Sequence, residues 1–166
     1  MATVYLSLGT NLGDRARNLE CAIACLTEVL DALVLSPVYE TDPWGFNDQP
    51  DFYNLCLRGE TMLEARALLY LLKGIERALG RGKGTVWGPR LIDIDLLFYD
   101  DLVIDEPTLT VPHPHIRGRP FVLIPLLEVA EDLEHPVLGH SIRGLAAEVD
   151  AARVRRLDLY LSADKA

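Results

Sequence analysis

The chain has 166 residues, 49% of them apolar and 25% charged, and a net charge of −9. That is enough for one domain spanning 1–166 with a sizeable core, and the acidic balance argues against nonspecific nucleic-acid binding. There is no run of about 18 apolar residues to form a membrane-spanning helix, and MATVYLSLG lacks the basic region and cleavage site of a signal peptide.

Thr3 to Leu8 alternates as a first strand and ends in the turn-and-cap sequence Gly9-Thr10-Asn11-Leu12-Gly13-Asp14. Leu19, Ala22, Ile23, Leu26, Val29, Leu30 and Leu33 recur at three and four, which predicts an amphipathic helix capped by Asp14 or Asn11. Cys21 and Cys25 fall one turn apart on it. With Cys56 they are too few for a disulfide framework, so reduced core cysteines and a cytoplasmic setting are expected. Val34 to Tyr39 is a second strand in which Pro37 marks an edge position or a bulge.

Glu40 to Asp51, ETDPWGFNDQPD, is irregular, yet it carries Trp44 and Phe46, for which a solvated linker has little use. Phe52 to Arg58 is a third strand, with Asn54 on the face of Phe52 and Cys56. Thr61 and Glu64 predict a capping box for a second helix through Leu63, Ala67, Leu68, Leu71, Leu72, Ile75 and Leu79, ending at Gly80. The basic loop GRGKGTV leads into WGPRLIDIDLLFY, Trp87 to Tyr99, as the fourth strand. Asp100-Asp101 turns the chain, and Leu102 to Asp105 is expected to return as a hairpin arm. TLTVPHPHIRGRP is a second irregular segment. Phe121 to Val129 reads as a short helix, HPVLGH as a turn, and Ser141 as the cap of a last helix to about Val149. The order strand-helix-strand-strand-helix-strand predicts an α+β, ferredoxin-like sandwich with helices on one face of a mainly antiparallel sheet.

The fourth strand carries the chemistry. Asp93 and Asp95 share one face, about 6–7 Å apart at roughly 3.3 Å per residue. Leu91, Leu97 and Tyr99 share that face, while Ile92, Ile94, Leu96 and Phe98 take the other as core. Two such charges repel by roughly 2–3 kcal/mol at an effective dielectric near 20, so the pair asks for a cation. No GxxxxGK[ST] or GxGxxG motif is present, which excludes the P-loop and Rossmann modes of phosphate binding. Basic residues instead surround the strand: Arg77, Arg81, Lys83, Arg90, Arg117 and Arg119. Arg90, at the strand mouth behind Gly88-Pro89, is placed to fork onto a phosphate. Carboxylates, arginines and phosphates together favour Mg²⁺. Zinc would need three or four ligands, and beyond His113 and His115 only His135 and His140 remain as histidines. A metal-dependent phosphohydrolase and a noncatalytic ferredoxin-like binding module are the alternative functions this pattern allows.

SLGTNLGD, YETDPWGFNDQPDFYN, IERALGR, WGPRLIDIDLLFY and LTVPHPHIRGRPFVLIPL together resemble the 6-hydroxymethyl-7,8-dihydropterin pyrophosphokinases of folate biosynthesis, over nearly the whole chain. The resemblance implies transfer of pyrophosphate from ATP to the pterin hydroxymethyl oxygen with release of AMP, by a monomer acting on small molecules. It also implies two Mg²⁺ ions held by Asp93 and Asp95, and mobile loops at one end of a ferredoxin-like fold. The implied catalytic residues are Arg81, Arg90, Asp93, Asp95, His113 and Arg119. ATP is expected at Lys73, Glu76, Lys83, Trp87, Arg90, Leu96, Thr110, His113 and Arg119. The pterin is expected to stack between Phe52 and Phe121, with Thr41, Asp42, Pro43, Trp44, Asn54, Trp87 and Asp93 around it. Members of the family commonly carry a second arginine where Lys83 stands, often a basic residue at Val86, and in some cases one at Thr108. Lysine is a point charge without the guanidinium fork.

Overall fold

Long apolar alternation in Ala2–Thr10 and Phe52–Thr61 produces the two central strands of the sheet, β1 and β4. The computed structural model of the chain describes residues 1–43, 45, 47–80 and 91–163. Its elements are β1 (Ala2–Thr10), α1 (Arg15–Leu26), β2 (Asp31–Leu35), β3 (Tyr39–Thr41), β4 (Phe52–Thr61) and α2 (Ala65–Ala78), then β5 (Asp93–Tyr99), β6 (Ile104–Glu106), β7 (Leu109–Val111), α3 (Pro120–Ala130), α4 (Ile142–Ala147) and β8 (Val154–Arg156). The six-stranded sheet runs β5-β1-β4-β3-β8, with β2 also on β4, and every described pairing in it is antiparallel.

The ferredoxin-like expectation stands, with helices on both faces rather than one. On the first face Leu6, Leu8, Leu55, Leu57, Ile94 and Leu96 pack with Leu19, Ile23 and Leu26 of α1 and with Leu68 and Leu72 of α2. On the second, Tyr5, Cys56, Leu97 and Phe98 pack with Val122, Leu123 and Leu126 of α3 and with Ile142 and Leu145 of α4. Fully burying such side chains contributes roughly 1.5–3 kcal/mol each.

Several boundaries differ from the sequence expectation. The first strand runs on through Gly9 and Thr10, which lie opposite Asn54 and Tyr53 of β4. Asp14 is the α1 cap, accepting from the Arg17 amide, but the helix ends at Leu26 and Leu33 belongs to β2. The expected strand Val34 to Tyr39 is split opposite Cys56. There the Ser36 amide donates to the Cys56 carbonyl, the Ser36 hydroxyl accepts from the Cys56 amide, and Pro37 has no N–H to give. Thr61 closes β4 and caps only locally, accepting from the Leu63 amide, so α2 starts at Ala65 after Glu64, which makes no side-chain cap bond. Leu102 to Asp105 does not return along β5; Ile104–Glu106 pairs with Leu109–Val111 as a separate hairpin. The tail supplies β8.

The facing of β5 is also corrected. The register steps from Leu6↔Leu96 to Tyr5↔Phe98, leaving Leu97 as an extra residue. A bulge of this kind reverses the alternation beyond it. Ile92, Ile94 and Leu96 therefore face α1 and α2, whereas Phe98 joins Leu97 in the α3–α4 core and Tyr99 packs against the first.

Candidate active site

In the sheet, Gly9 pairs with Asp93 on one side and Asn54 on the other, and Ser7 pairs with Asp95 and Cys56. Directly paired residues of antiparallel strands project to the same face. Asp93, Asp95 and Asn54 therefore share the face that carries α3. The Asp95 side chain is 40% exposed. On the other side of β5, Glu76 is 1% exposed, and its Oε1 accepts from the Ile94 amide at 2.7 Å and from Lys73 Nζ at 3.1 Å. Lys73 Nζ also donates to the Ile94 carbonyl at 3.4 Å and lies 3.9 Å from Asp95 Oδ1. The residue between the two carboxylates is thus pinned through its main chain by a buried acid on α2.

Beside this strand a cavity of about 290 Å³ is lined by Lys73, Asp95, Leu96, Thr108, Thr110 and His113 among others. Residues expected at the ATP site from three separate parts of the chain meet there. The hairpin β6–β7 brings Thr108 and Thr110, and the His113 amide donates to the Leu97 carbonyl at 2.9 Å, fixing the next loop to the bulge. His113 Nδ1 accepts from the His115 amide at 3.2 Å, so the proton of the neutral ring sits on Nε2. Burial holds His113 below the usual imidazole range; Asp95 opposes that, while Arg119, His115 and Lys73 add to it. Burial also lowers Arg119, against the pull of Asp95. Arg119 owes its place to the next residue. It precedes Pro120, which favours extended backbone before it and the first helical position, and so it takes the N-cap position of α3 without a side-chain cap bond; its guanidinium lies 5.7 Å from the Phe121 ring.

Residues expected around the pterin gather at the paired ends of β3 and β4. Asn54 is buried and its Nδ2 donates to Thr41 Oγ1 at 2.6 Å. Phe52 pairs with Thr41 in the same ladder. Asp42 and Pro43 follow directly, and Asp42 forms ion pairs with Arg153 and Arg155. A Cβ on Gly9 would stand 2.8 Å from Asn54 Oδ1 and 3.7 Å from the Phe52 ring. The sequence suggests a turn glycine at Gly9; its place on β1 opposite Asn54 is a property of register.

Other members of the expected basic cluster lie elsewhere. Arg77 sits over the Tyr70 ring at 5.9 Å and Arg117 pairs with Glu148 at 3.4 Å. Trp44, Arg81, Lys83, Val86, Trp87 and Arg90 fall outside the described residues. Among the described residues no group of three or more His, Cys, Asp or Glu is placed to hold a metal ion. A pair of carboxylates such as Asp93 and Asp95 fits Mg²⁺ completed by water and phosphate better than an all-protein zinc site, which needs three or four protein ligands.

Comparison with known proteins places the chain in a family. Residues 5–131 match the family described as 7,8-dihydro-6-hydroxymethylpterin-pyrophosphokinase (HPPK). The 2-amino-4-hydroxy-6-hydroxymethyldihydropteridine pyrophosphokinase of Aquifex aeolicus is 45% identical over 148 residues, covering 89% of this chain and 92% of that protein. The protein of the same name from Methylorubrum extorquens is 39% identical over 160 residues, covering 95% and 100%. The folic acid synthesis protein fol1 of Pneumocystis carinii is 44% identical over 140 residues, 84% of this chain but 19% of that longer protein. Among solved structures, the A437G HPPK-DHPS of Plasmodium falciparum with SDX-DHP superposes with a TM-score of 0.74 at 20% identity. It covers 89% of this chain, which spans 45% of the solved one. With the match running over most of its length, the chain belongs to the HPPK family.

Proposed function

We propose that this chain, as a single domain over 1–166, transfers pyrophosphate from ATP to 6-hydroxymethyl-7,8-dihydropterin with Mg²⁺, acting as a cytoplasmic monomer. Pyrophosphoryl transfer to hydroxymethyldihydropterin, in folate biosynthesis, is the activity of the family. The observation that carries the finer reading is the meeting of Lys73, Asp95, Leu96, Thr110 and His113 around one cavity. That cavity borders the strand whose carboxylates share a sheet face with Asn54. Among the described residues no helix is long and apolar enough to cross a membrane.

Transfer of this kind needs positioning and charge neutralisation more than covalent chemistry. Asp93 and Asp95 would hold Mg²⁺, which neutralises phosphate oxygens. Lys73 and Arg119 would add positive charge beside the triphosphate, and neutral His113 would donate from Nε2 to a phosphate oxygen. Thr110 and Leu96 would border the nucleotide on the far side of Asp95, with Glu76 beneath it. Phe52 and Phe121 would sandwich the pterin ring while Thr41, Asp42, Pro43 and Asn54 meet its edge. Arg81, Arg90, Lys83, Trp44 and Trp87 keep the roles the resemblance gives them. The test is to incubate the protein with ATP, Mg²⁺ and the reduced pterin and to identify the nucleotide product. AMP with a diphosphorylated pterin is expected. ADP with a monophosphorylated pterin would overturn the pyrophosphoryl assignment, and phosphate release without pterin would point to a hydrolase.

A further inference from the structure

β8 lies beyond the stretch 5–131 that carries the family match, and none of its residues has a part in the chemistry above. It adds to the edge of β3, with Arg156 opposite Tyr39 and Arg155 opposite Glu40. Neighbouring residues of a strand point to opposite faces, so the two arginines reach different parts of the protein. Arg156 Nη1 lies 3.3 Å from Glu128 Oε1 on α3, the oxygen that also accepts from the Tyr39 hydroxyl at 2.6 Å. Arg155 turns the other way. Its Nη1 lies 3.3 Å from Asp42 Oδ1, and its Nη2 lies 3.0 Å from Asp51 Oδ2 and 3.5 Å from Glu40 Oε1.

Asp42 and Asp51 are the first and last residues of the segment that joins β3 to β4. One guanidinium therefore spans both ends of that segment, a geometry its planar fork permits and an ammonium does not. Arg153 also reaches Asp42, at 3.2 Å, and Arg15 reaches Glu40 and the Asp51 carbonyl, at 3.0 and 2.9 Å. Among the described residues it is Arg155 whose side chain bonds to both end carboxylates. Isolated surface ion pairs contribute little, but several carboxylates sharing one arginine form the networked case that does hold geometry.

We propose that Arg155 is a positioning residue for the pterin substrate: by tying Asp42 to Asp51 it fixes Thr41 to Pro43 against Phe52 and Asn54. The role rests on the pterin reading of that face. Arg155 acts through Asp42 and the main chain of β3, at the opposite end of the sheet from the carboxylates of β5. Losing it leaves the pterin-binding arrangement formed only part of the time, and an arrangement formed a fifth of the time raises the apparent Kd about five-fold.

The test compares wild type, Arg155→Ala and Arg155→Lys in two measurements: KM for pterin and for ATP with Mg²⁺, and amide hydrogen exchange over residues 40–54. For Arg155→Ala the pterin KM is expected to rise about five-fold with the ATP KM and kcat within about two-fold. Exchange should quicken at 41, 42 and 51 but not in β5. Arg155→Lys should fall between the two, since lysine reaches one carboxylate at a time. An unchanged pterin KM with unchanged exchange would overturn the proposal. So would an equal rise in both KM values with a lowered Tm, the pattern of a merely structural arginine. Wild type that turns over no pterin would overturn the functional reading and this role with it, even if exchange at 41 and 42 still responded to Arg155→Ala.

Discussion

At the β5 edge of the sheet, the place of Asp93 and Asp95 depends on a bond inside the protein, from the Ile94 amide to Glu76 Oε1. At the β8 edge, the place of Asp42 depends on guanidinium groups that water reaches. The first edge is held by a bond whose loss leaves a buried amide without a partner; the second by several ion pairs that salt screens. The division matches what each edge is proposed to handle. A metal and triphosphate demand carboxylates that do not shift as charge accumulates, whereas a flat neutral heterocycle needs shape and a few edge contacts.

The largest expected effect is at the first edge. Asp95→Ala should lower kcat by about a hundred- to a thousand-fold while leaving the melting transition in place; near-normal turnover would end the metal role. Next comes the anchor behind it. Glu76→Ala leaves the Ile94 amide without that acceptor and should cost about 1–3 kcal/mol of stability in urea unfolding, with a fall in kcat. Glu76→Gln keeps the acceptor and should recover most of the stability, so equal midpoints for both variants would show that the bond matters little. Gly9→Ala probes the row that links the edges. Its Cβ would meet Asn54 Oδ1, so the pterin KM should rise about ten-fold, or 1.4 kcal/mol. The ATP KM should hold, and parallel changes in both would mean that the strand, rather than Asn54, had moved.

The smallest effect concerns the core behind β5. His135 is buried edge-on to the Phe98 ring, and its Nδ1 accepts from the amides of Val137 and Leu138 at 3.3 and 3.2 Å. Burial lowers its pKa below the ordinary imidazole value. As pH falls through that ordinary value the unfolded chain takes up a proton before the folded one does. This contribution to stability is thus complete at neutral pH and is lost on acidification, with a slope of at most about 1.4 kcal/mol per pH unit. His135→Asn keeps an acceptor and removes the titration; urea midpoints from pH 7.5 to 5 should slope less for it than for wild type.

Local signals carried the sequence reading well where the physics is local. Asp14 and Ser141 cap helices as their positions imply, accepting from Arg17 and Gly144 amides. The DxD spacing of Asp93 and Asp95 lies on a strand, and Asn54 lies on another strand of the same sheet, across β1. Features that depend on a partner strand were hidden. The apolar spacing that continued to Leu33 looked helical because β2 happens to extend the same periodicity. Gly9 gave no sign of facing Asn54, and nothing near Leu97 announces a bulge, because both are set by which residue of another strand lies opposite. The resemblance implies a place for Glu76 at the nucleotide, but its bond to the Ile94 amide joins α2 to β5 across 18 positions of sequence and has no local signature. The tail carries no strand signal, because a three-residue strand has no periodicity of its own.

The extra residue at Leu97 makes chain length itself a functional quantity. It separates β5 into two phases, an upstream half set by the α1–α2 core and a downstream half set by the α3–α4 core. Deleting one residue there would let only one half keep its phase, and a downstream half that kept its own would turn Asp93 and Asp95 toward α2. The carbonyl at that position also receives the His113 amide. Evolution can therefore change the identity of residue 97 more readily than it can change the count of residues between Asp95 and Phe98. Insertions in related chains should collect at the exposed turns around 100–103 and 106–108, and leave that interval at one length.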